Sequence, residues 1–265
     1  MKFVLSSFLI FLSVSFLCTP HGYAFDSREW DELLKSHVEN GLVHYDAFKN
    51  DQAKLEHYLD AIAQYPPESF SNDSREERIA LWINVFNASV IRSILKRYPV
   101  DSVEKIANFW DDKNVLVSQI AYSFRDIREQ VFRGGFREER ALLALVPGQM
   151  SSGPLRPEAY TGSKLIDQLR DQMDLFLTDE RYNQIRVKQK KLRLSPLFRE
   201  YANDFILGYG SVGDTGKFSP QEFSILNFIK IHVKDPKLKD WIVQSKYKVS
   251  YLKKDVRLND AKGPK

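Results

Sequence analysis

Cysteine is nearly absent from the sequence, since Cys18 is the only one and residues 19–265 contain none. Disulfides, thiol nucleophiles and thiolate metal ligands all need cysteine, so none of them can form among residues 19–265. Histidine is scarce as well, at five residues, and no histidine shares a helix face with a second ligand at a metal-site spacing. The sequence therefore predicts neither a metal site nor a bound cofactor.

A long apolar run stands at the N-terminus, where residues 3–17 follow the basic Lys2. A small-residue ending, Gly22-Tyr23-Ala24, comes shortly after it, which is typical of a secretory signal peptide. The run is shorter than the roughly 20 apolar residues that span a bilayer, so we expect cleavage after Ala24 rather than a membrane anchor. Lipid attachment at Cys18 is the alternative, but Leu17 is bulkier than this modification prefers.

We therefore expect an exported protein, periplasmic or secreted, with no transmembrane segment after cleavage. Removing residues 1–24 from the 265-residue chain leaves 241 residues, which suffice for a hydrophobic core without disulfides. Lys2 is the only charged residue removed, so the net charge falls only from +4 to +3. The overall charge thus favours no particular class of partner.

One local excess of positive charge lies at residues 186–193, which hold five Lys or Arg residues. A nucleic-acid or anionic-surface patch is one interpretation. The charges alternate with Ile185, Val187 and Leu192, however, and no aromatic residue between them could stack on a base. The pattern favours the solvent-exposed face of a two-stranded hairpin, and we expect no nucleic-acid partner.

Apolar periodicity predicts a single α+β domain over residues 25–260, mainly helical with a small antiparallel sheet, followed by a frayed tail at 261–265. The strongest helix begins at a capping box, Ser74-Arg75-Glu76-Glu77. The other main predictions are a strand at 115–122, a helix from Ser123 that ends before Gly134-Gly135, a loop at 147–157, a hairpin at 185–193, a capped helix at 220–232 and a strand at 247–251.

Residues 208–213, Gly-Tyr-Gly-Ser-Val-Gly, match the glycine pattern of dinucleotide-binding loops. That pattern must follow a strand and open a helix, because the helix N-terminus binds the pyrophosphate. Here a predicted helix precedes it and Asp214, Thr215 and Gly216 continue a loop. We interpret the segment as a surface loop.

The segment Trp82-Ile83-Asn84-Val85-Phe86-Asn87 places two amides on one helix face among large apolar residues. Asparagine is a poor helix former, and a buried amide needs several hydrogen-bond partners. Asn84 and Asn87 therefore either bind the backbone of a neighbouring loop or face a ligand pocket. The loop-binding role is favoured, because one helix with two amides can clamp loop backbone.

Several ordered motifs resemble the domain-of-unknown-function 547 family over nearly all of residues 25–265. The block at 80–88, Ala-Leu-Trp-Ile-Asn-Val-Phe-Asn-Ala, is the most specific of them. The other blocks are residues 30–34, 41–45, 154–161, 194–198, 204–205 and 251–259. The resemblance implies the family's fold but no established activity.

The chain departs from the family pattern at three positions. Members usually carry a cysteine after an apolar Ala-Leu-Val stretch and often a second one five residues later, and here Pro147 and Ser152 stand at these positions. Glu129 stands where members tend to have the histidine of an Ile-Glu-His sequence. A recurring cysteine and histidine suggest a thiol nucleophile with its base. The resemblance therefore implies that such a thiol site is lost here.

The favoured functional interpretation is a non-catalytic binding or scaffolding domain. Its pocket would lie between the 147–157 loop and the predicted central helix, and Arg156 would hold the carboxylate or phosphate of a small anionic ligand. The expected ligand-binding residues are Trp82, Asn84, Asn87, Arg156 and Tyr160. An envelope protein is the other candidate partner, and a purely structural envelope role is a further interpretation.

The alternative is a hydrolase or transferase in which Glu129 acts as general base beside Ser151 or Ser152. The two interpretations differ in a spatial observation. A Glu129 carboxylate buried beside either serine favours the enzyme, whereas a solvated one does not.

We predict that the protein purified from its native compartment begins at Phe25, because the Gly22-Tyr23-Ala24 ending precedes the polar Asp26. Intact-mass analysis checks this directly. A mass that includes Met1, or a diacylglycerol on Cys18, would contradict the prediction.

Overall fold

A computed structural model of the protein describes residues 24–210 and 215–263. Residues 1–23 of the expected signal peptide, including Cys18, lie outside these ranges. So do residues 211–213 of the glycine pattern and the last two residues of the expected tail. The described chain is a mainly helical α+β domain with small sheets, which confirms the predicted fold class.

Helix α5 (Arg75–Leu95) is the central element of the fold. It begins at the predicted capping box, in which the Glu77 N–H donates to the Ser74 hydroxyl at 3.1 Å and the Ser74 N–H donates to the Glu77 carboxylate at 2.8 Å. From Ile79 to Leu95 every residue except Arg92 is buried. A helix enclosed on every side must find a partner inside the protein for each polar side chain.

Other helices pack around α5, and three contact it directly: α3 (Gln52–Ala63), α7 (Glu139–Ala144) and α8 (Leu165–Thr178). The remaining α-helices are α1 (Arg28–His37), α2 (Tyr45–Phe48), α4 (Pro67–Asn72), α6 (Phe124–Asp126), α9 (Pro196–Glu200), α10 (Asp204–Tyr209), α11 (Pro220–His232) and α12 (Pro236–Val243). Phe198, Phe205 and Phe228 join α9, α10 and α11 through ring centroids 4.8–6.1 Å apart. These contacts bury large apolar area, which stabilises the fold.

Helix α5 also has the length and apolar composition of a membrane-spanning helix. Within the described residues it is the only helix that does, and 89% of its apolar window is buried inside the protein. A core helix of a globular domain meets the same criteria. We therefore describe α5 as the core helix.

The strands form three small sheets. In order along the chain they are β1 (Val38–Glu39), β2 (Leu42–Val43), β3 (Val115–Val117), β4 (Ile120–Tyr122), β5 (Gln184–Arg186), β6 (Lys191–Leu194) and β7 (Lys248–Tyr251). Strands β1–β2 and β3–β4 form antiparallel hairpins, so the strand predicted at 115–122 is in fact two strands. The chain turns between them at Ser118 and Gln119, which both have positive φ.

The third sheet contains β5, β6 and β7. The predicted hairpin at 185–193 is present, and β5 pairs with β6 in antiparallel register from Gln184 to Arg193. Strand β7 then pairs with β6 in parallel register, a pairing that the sequence did not indicate. The Asn183 amide fixes the ends of this hairpin, because it accepts the Ser195 N–H at 2.9 Å and donates to the Phe176 carbonyl at 2.8 Å.

The helix from Ser123 does not end before Gly134-Gly135 as predicted. After α6 it continues as a π-helix over Ile127–Phe136, and the Arg137 N–H donates to the Phe132 carbonyl at 2.7 Å. A Cβ at either glycine would stand 3.3 Å from the carbonyl oxygen five residues earlier. The two glycines thus allow the wide turns of the π-helix, which ends at Arg137 with a φ of 53°.

Residues 255–261 form an extended segment that we call the C-terminal strap. It joins three distant parts of the chain, the 148–151 loop, Asp101 and β2. The backbone hydrogen bonds are Ser151 N–H to Asp255 O (3.1 Å), Met150 N–H to Arg257 O (2.8 Å), Leu258 N–H to Asp101 O (2.7 Å), Asn259 N–H to Gly148 O (3.0 Å), Val43 N–H to Asn259 O (3.0 Å) and Ala261 N–H to Val43 O (2.9 Å). Ala261, assigned to the tail from the sequence, is thus paired with β2.

His232 at the end of α11 gives the fold an expected pH dependence. Burial lowers its pKa from 6.5 to about 4, and its ring packs on Phe228 at 4.4 Å. The unfolded chain takes up a proton as pH falls below about 6.5, whereas the folded protein resists this until about 4. Stability conferred by the neutral imidazole is therefore full above pH 6.5 and is lost as pH falls towards 4.

We expect the His232→Gln variant to lose less stability on acidification than the wild type, measured by denaturant unfolding above and below pH 6.5. The control is His57→Gln, because the His57 side chain is 73% exposed. Other groups, such as the half-buried Glu139 whose pKa is raised by desolvation, titrate in both proteins and cancel in the comparison. Identical pH profiles for wild type and His232→Gln would contradict the prediction.

Candidate binding site

The first amide of α5 binds the loop before α8. The Asn84 amide donates to the Tyr160 carbonyl at 2.8 Å and accepts the Tyr160 N–H at 3.0 Å. Gln168 on α8 binds the flanking residues in the same way, accepting the Thr161 N–H at 3.0 Å and donating to the Ala159 carbonyl at 2.8 Å. Two helices thus hold this loop through side-chain amides.

The second amide of α5 binds the segment after α7. The Asn87 amide donates to the Ala144 carbonyl at 3.2 Å and accepts the Val146 N–H at 2.8 Å. Asn84 and Asn87 are both buried, at 1% and 3% exposure. Both amides therefore clamp loop backbone, and each uses donor and acceptor for it.

The residues expected to bind a ligand are not gathered around one cavity. Arg156 is bound to the Glu158 carboxylate, with its Nε atom 2.7 Å from Oε1, so its charge is already compensated. Tyr160 is buried beside Asn84, and its side chain is only 3% exposed. Trp82 packs edge-on against Tyr122, with centroids 4.9 Å apart. Arg156 and Trp82 do not line the same cavity.

The three residues of the catalytic alternative, Glu129, Ser151 and Ser152, each contact a different partner. Glu129 pairs with Arg133 at 2.6 Å, and 41% of its side chain is exposed. The Ser151 hydroxyl donates to the Asp255 carbonyl at 2.9 Å, and the Ser152 hydroxyl accepts the Gln149 N–H at 3.2 Å. Within the described residues Glu129 forms no hydrogen bond with either serine.

An open groove beside α5 is the best candidate for a ligand-binding site. Its volume is about 430 Å³, in the range of small-molecule sites. One wall comes from α4 and α5, and the other from the π-helix. The residues that line this α5 groove are Phe70, Arg75, Arg78, Trp82, Val131, Gly135 and Phe136.

Two arginines of α5 line the groove, and they differ in whether the side chain has a hydrogen-bond partner. Arg75 donates to the Phe136 carbonyl at 2.9 Å and lies over the Phe136 ring. Arg78 forms no ion pair or side-chain hydrogen bond with any described residue, and its Nε atom is buried without a partner. Burial raises the pKa of Asp73, and the nearby Arg78 charge opposes this rise. The groove therefore contains a cation that is not fully compensated beside aromatic rings.

Two other cavities lack this feature. One, of about 400 Å³, lies at the strap and is lined by Asp101, Lys105 and Asp260 among others. Its charged groups already have partners. Lys105 pairs with Asp101 at 2.7 Å, and the Tyr98 hydroxyl donates to Asp260 at 2.8 Å. The other, of about 320 Å³, lies at the end of the π-helix and combines guanidinium and carboxylate groups in similar number. Each is lined by one more acidic than basic side chain, so neither has an excess of positive charge.

The described residues contain no group of three or more histidine, cysteine, aspartate or glutamate side chains arranged to hold a metal ion. The groove residues other than Trp82 were not singled out from the sequence. The one signal for them was the i, i+3, i+7 spacing of Arg75, Arg78 and Trp82, which places all three on one helix face. That spacing does not reveal the opposite wall, which comes from a distant segment.

The family model described as "Protein of unknown function, DUF547" matches residues 70–177. This match supports membership of the chain in the DUF547 family. The matched DUF547 segment runs from Phe70 to Leu177 and contains the α5 groove and both asparagine clamps. No curated protein and no solved structure matches the chain significantly.

The asparagine clamp predicts a specific loss of stability. Asn87→Ala leaves the Val146 N–H and the Ala144 carbonyl without their buried partner, which should lower the free energy of unfolding by roughly 1–3 kcal/mol. Denaturant unfolding measures this change, with Asn72→Ala as the control because Asn72 is exposed. An unchanged midpoint for Asn87→Ala would count against the clamp.

Proposed function

We propose that the protein is an exported, non-catalytic binding domain that holds a small anionic ligand with a flat apolar part in the α5 groove. The observation that carries the proposal is Arg78, whose buried Nε atom has no partner among the described residues. The terminal nitrogens of its guanidinium have no ion pair within the described residues either, and a carboxylate or phosphate in the groove would pair with them through charge-assisted hydrogen bonds.

The walls of the groove support a flat apolar part in the ligand. Phe70 and Trp82 meet edge-on with centroids 6.1 Å apart, and the Phe136 ring lies beneath Arg75. Aromatic faces and arginine together favour planar anions, because rings stack on the faces while guanidinium groups bind the charge. This assigns the anion to Arg78 instead of Arg156, whose charge Glu158 compensates.

We include export in the proposal because the N-terminal residues have the pattern of a signal peptide. The packing of Phe25 agrees with a folded domain that starts near the expected cleavage site. Its ring lies edge-on against Tyr58 and Tyr65, at 5.8 and 5.2 Å between centroids. A first residue anchored in this way would limit fraying of the new N-terminus.

The enzyme alternative has less support. Glu129 is solvated and paired with Arg133, and Ser151 and Ser152 have no histidine or carboxylate hydrogen-bonded to their hydroxyls among the described residues. A serine nucleophile needs an adjacent base for activation. A binding domain therefore accounts for the arrangement with fewer assumptions.

The test compares 2-naphthoate with 2-naphthamide by isothermal titration calorimetry, since the two share a ring system and differ in charge. We expect binding of the naphthoate and much weaker binding of the amide. Arg78→Gln should weaken naphthoate binding about tenfold or more, because a hydrogen bond to a charged group is lost. Arg78→Lys keeps the charge and should weaken it less.

Arg156→Gln is the matched control and should leave naphthoate binding unchanged. Circular dichroism and denaturant unfolding establish that each variant is folded. Equal affinity for naphthoate and naphthamide, or an effect of Arg156→Gln as large as that of Arg78→Gln, would contradict the assignment of the anion site to the α5 groove.

A further inference from the structure

Two segments that are distant in sequence form one basic surface on the third sheet. Residues 184–194 contain β5 and β6, and residues 244–254 contain β7. Together they hold nine Lys or Arg residues and no Asp or Glu. These cations are Arg186, Lys188, Lys190, Lys191, Arg193, Lys246, Lys248, Lys253 and Lys254. We call their exposed side chains the basic sheet surface.

The strand register places like charges next to one another. Lys191 on β6 stands opposite Arg186 on β5 and opposite Lys248 on β7. Leu192 and Leu194 point into the core, so Lys191 and Arg193 point to solvent. Like charges directly opposite one another destabilise a sheet. The fold thus retains a repulsive arrangement at this surface.

The surrounding protein leaves most of this charge uncompensated. Arg186 pairs with Glu180 and Lys254 with Glu200, and no other cation of the basic sheet surface has an ion pair within the described residues. The whole chain carries a net charge of +4, and these nine cations contribute +9 without any acid, so all other residues together carry −5. The charge is therefore strongly asymmetric, a pattern that steers anionic partners.

We propose that the basic sheet surface docks the protein on a bilayer of anionic phospholipids. Seven of the nine cations are lysines, which act as flexible point charges and suit a surface of mobile phosphates. Val187, at the tip of the hairpin beside Lys188, is 50% exposed and can enter the headgroup region. Clusters of four to eight basic residues are typical of binding to anionic lipid.

The aromatic residues nearby do not favour a nucleic acid as the partner. Tyr247 is buried, stacked on Trp241 at 4.5 Å, and Tyr251 is covered by the guanidinium of Arg199 at 4.7 Å. Neither ring is free for a base, although stacking on aromatic rings is a main source of affinity for single strands. The surface also contains none of the residues that line the α5 groove, so the two proposals stand or fail separately.

The test is co-sedimentation of the protein, purified from its native compartment, with phosphatidylcholine vesicles with and without phosphatidylglycerol. We expect binding only to the anionic vesicles, and release at high salt because exposed charges are screened. Each lysine near an anionic surface contributes about a fivefold gain in affinity. Lys191→Gln with Lys248→Gln should therefore weaken binding about 30-fold.

The matched control is Lys96→Gln with Lys237→Gln, since both lysines are exposed and neither has an ion pair within the described residues. It changes net charge equally and should leave binding within about twofold, as the Debye length at physiological salt is only about 8 Å. Thermal unfolding shows whether each variant remains folded, so that a loss of vesicle binding can be attributed to the removed charges. Loss of the Lys191–Lys248 repulsion should leave the melting temperature of the first variant unchanged or higher.

Equal binding to neutral and anionic vesicles would overturn the proposal, as would equal losses in the two double variants. Binding of soluble polyphosphate or single-stranded DNA without binding of anionic vesicles would also overturn it. That result would identify the surface as a site for soluble polyanions.

Discussion

Buried side-chain amides that each bind one N–H and one C=O of another segment hold this fold together. Asn84, Asn87 and Gln168 do so, and Asn183 joins two segments by accepting the Ser195 N–H and donating to the Phe176 carbonyl. Because α5 is enclosed on every side, its neighbours include loops whose backbone groups have no strand to pair with. An amide presents the same donor and acceptor as a peptide group, so it satisfies such a loop in the interior. The position of the 144–161 segment depends on these contacts.

Local features of the fold could be predicted from the sequence. The capping boxes at Ser74 and Ser219 identify the starts of α5 and α11, because the side-chain contacts that cap a helix span only three residues. Two non-local features were missed. The parallel pairing of β7 with β6 joins segments more than fifty residues apart. The π-helix depends on how close Gly134 and Gly135 come to carbonyl groups, which periodicity does not report.

The candidate site shows the same difference between local features, which the sequence indicates, and contacts between distant segments, which it does not. The two α5 amides were recognised as a clamp or a pocket lining because asparagine is out of place in an apolar helix. The sequence also predicts an anion site at Arg156, and the structure pairs this residue with Glu158, two residues further on. The α5 groove needed the structure, because Phe136 and Arg78 meet only through packing of the π-helix against α5. The sequence shows which polar side chains need a hydrogen-bond or ion-pair partner. The packing of distant segments determines which of them have none.

The C-terminal strap has a consequence for the order in which this chain can acquire its structure. Its side-chain contacts close loops of 104, 154 and 214 residues, from Ser151 to Asp255, Ser102 to Val256 and Tyr45 to Asn259. Such contacts contribute only after the entropy of closing the loop has been overcome, and the strap is synthesised after nearly every residue it binds. An emerging chain lacks these closing contacts until residue 259 is available. Until then the 148–151 loop, Asp101 and β2 lack the backbone partners that the strap supplies.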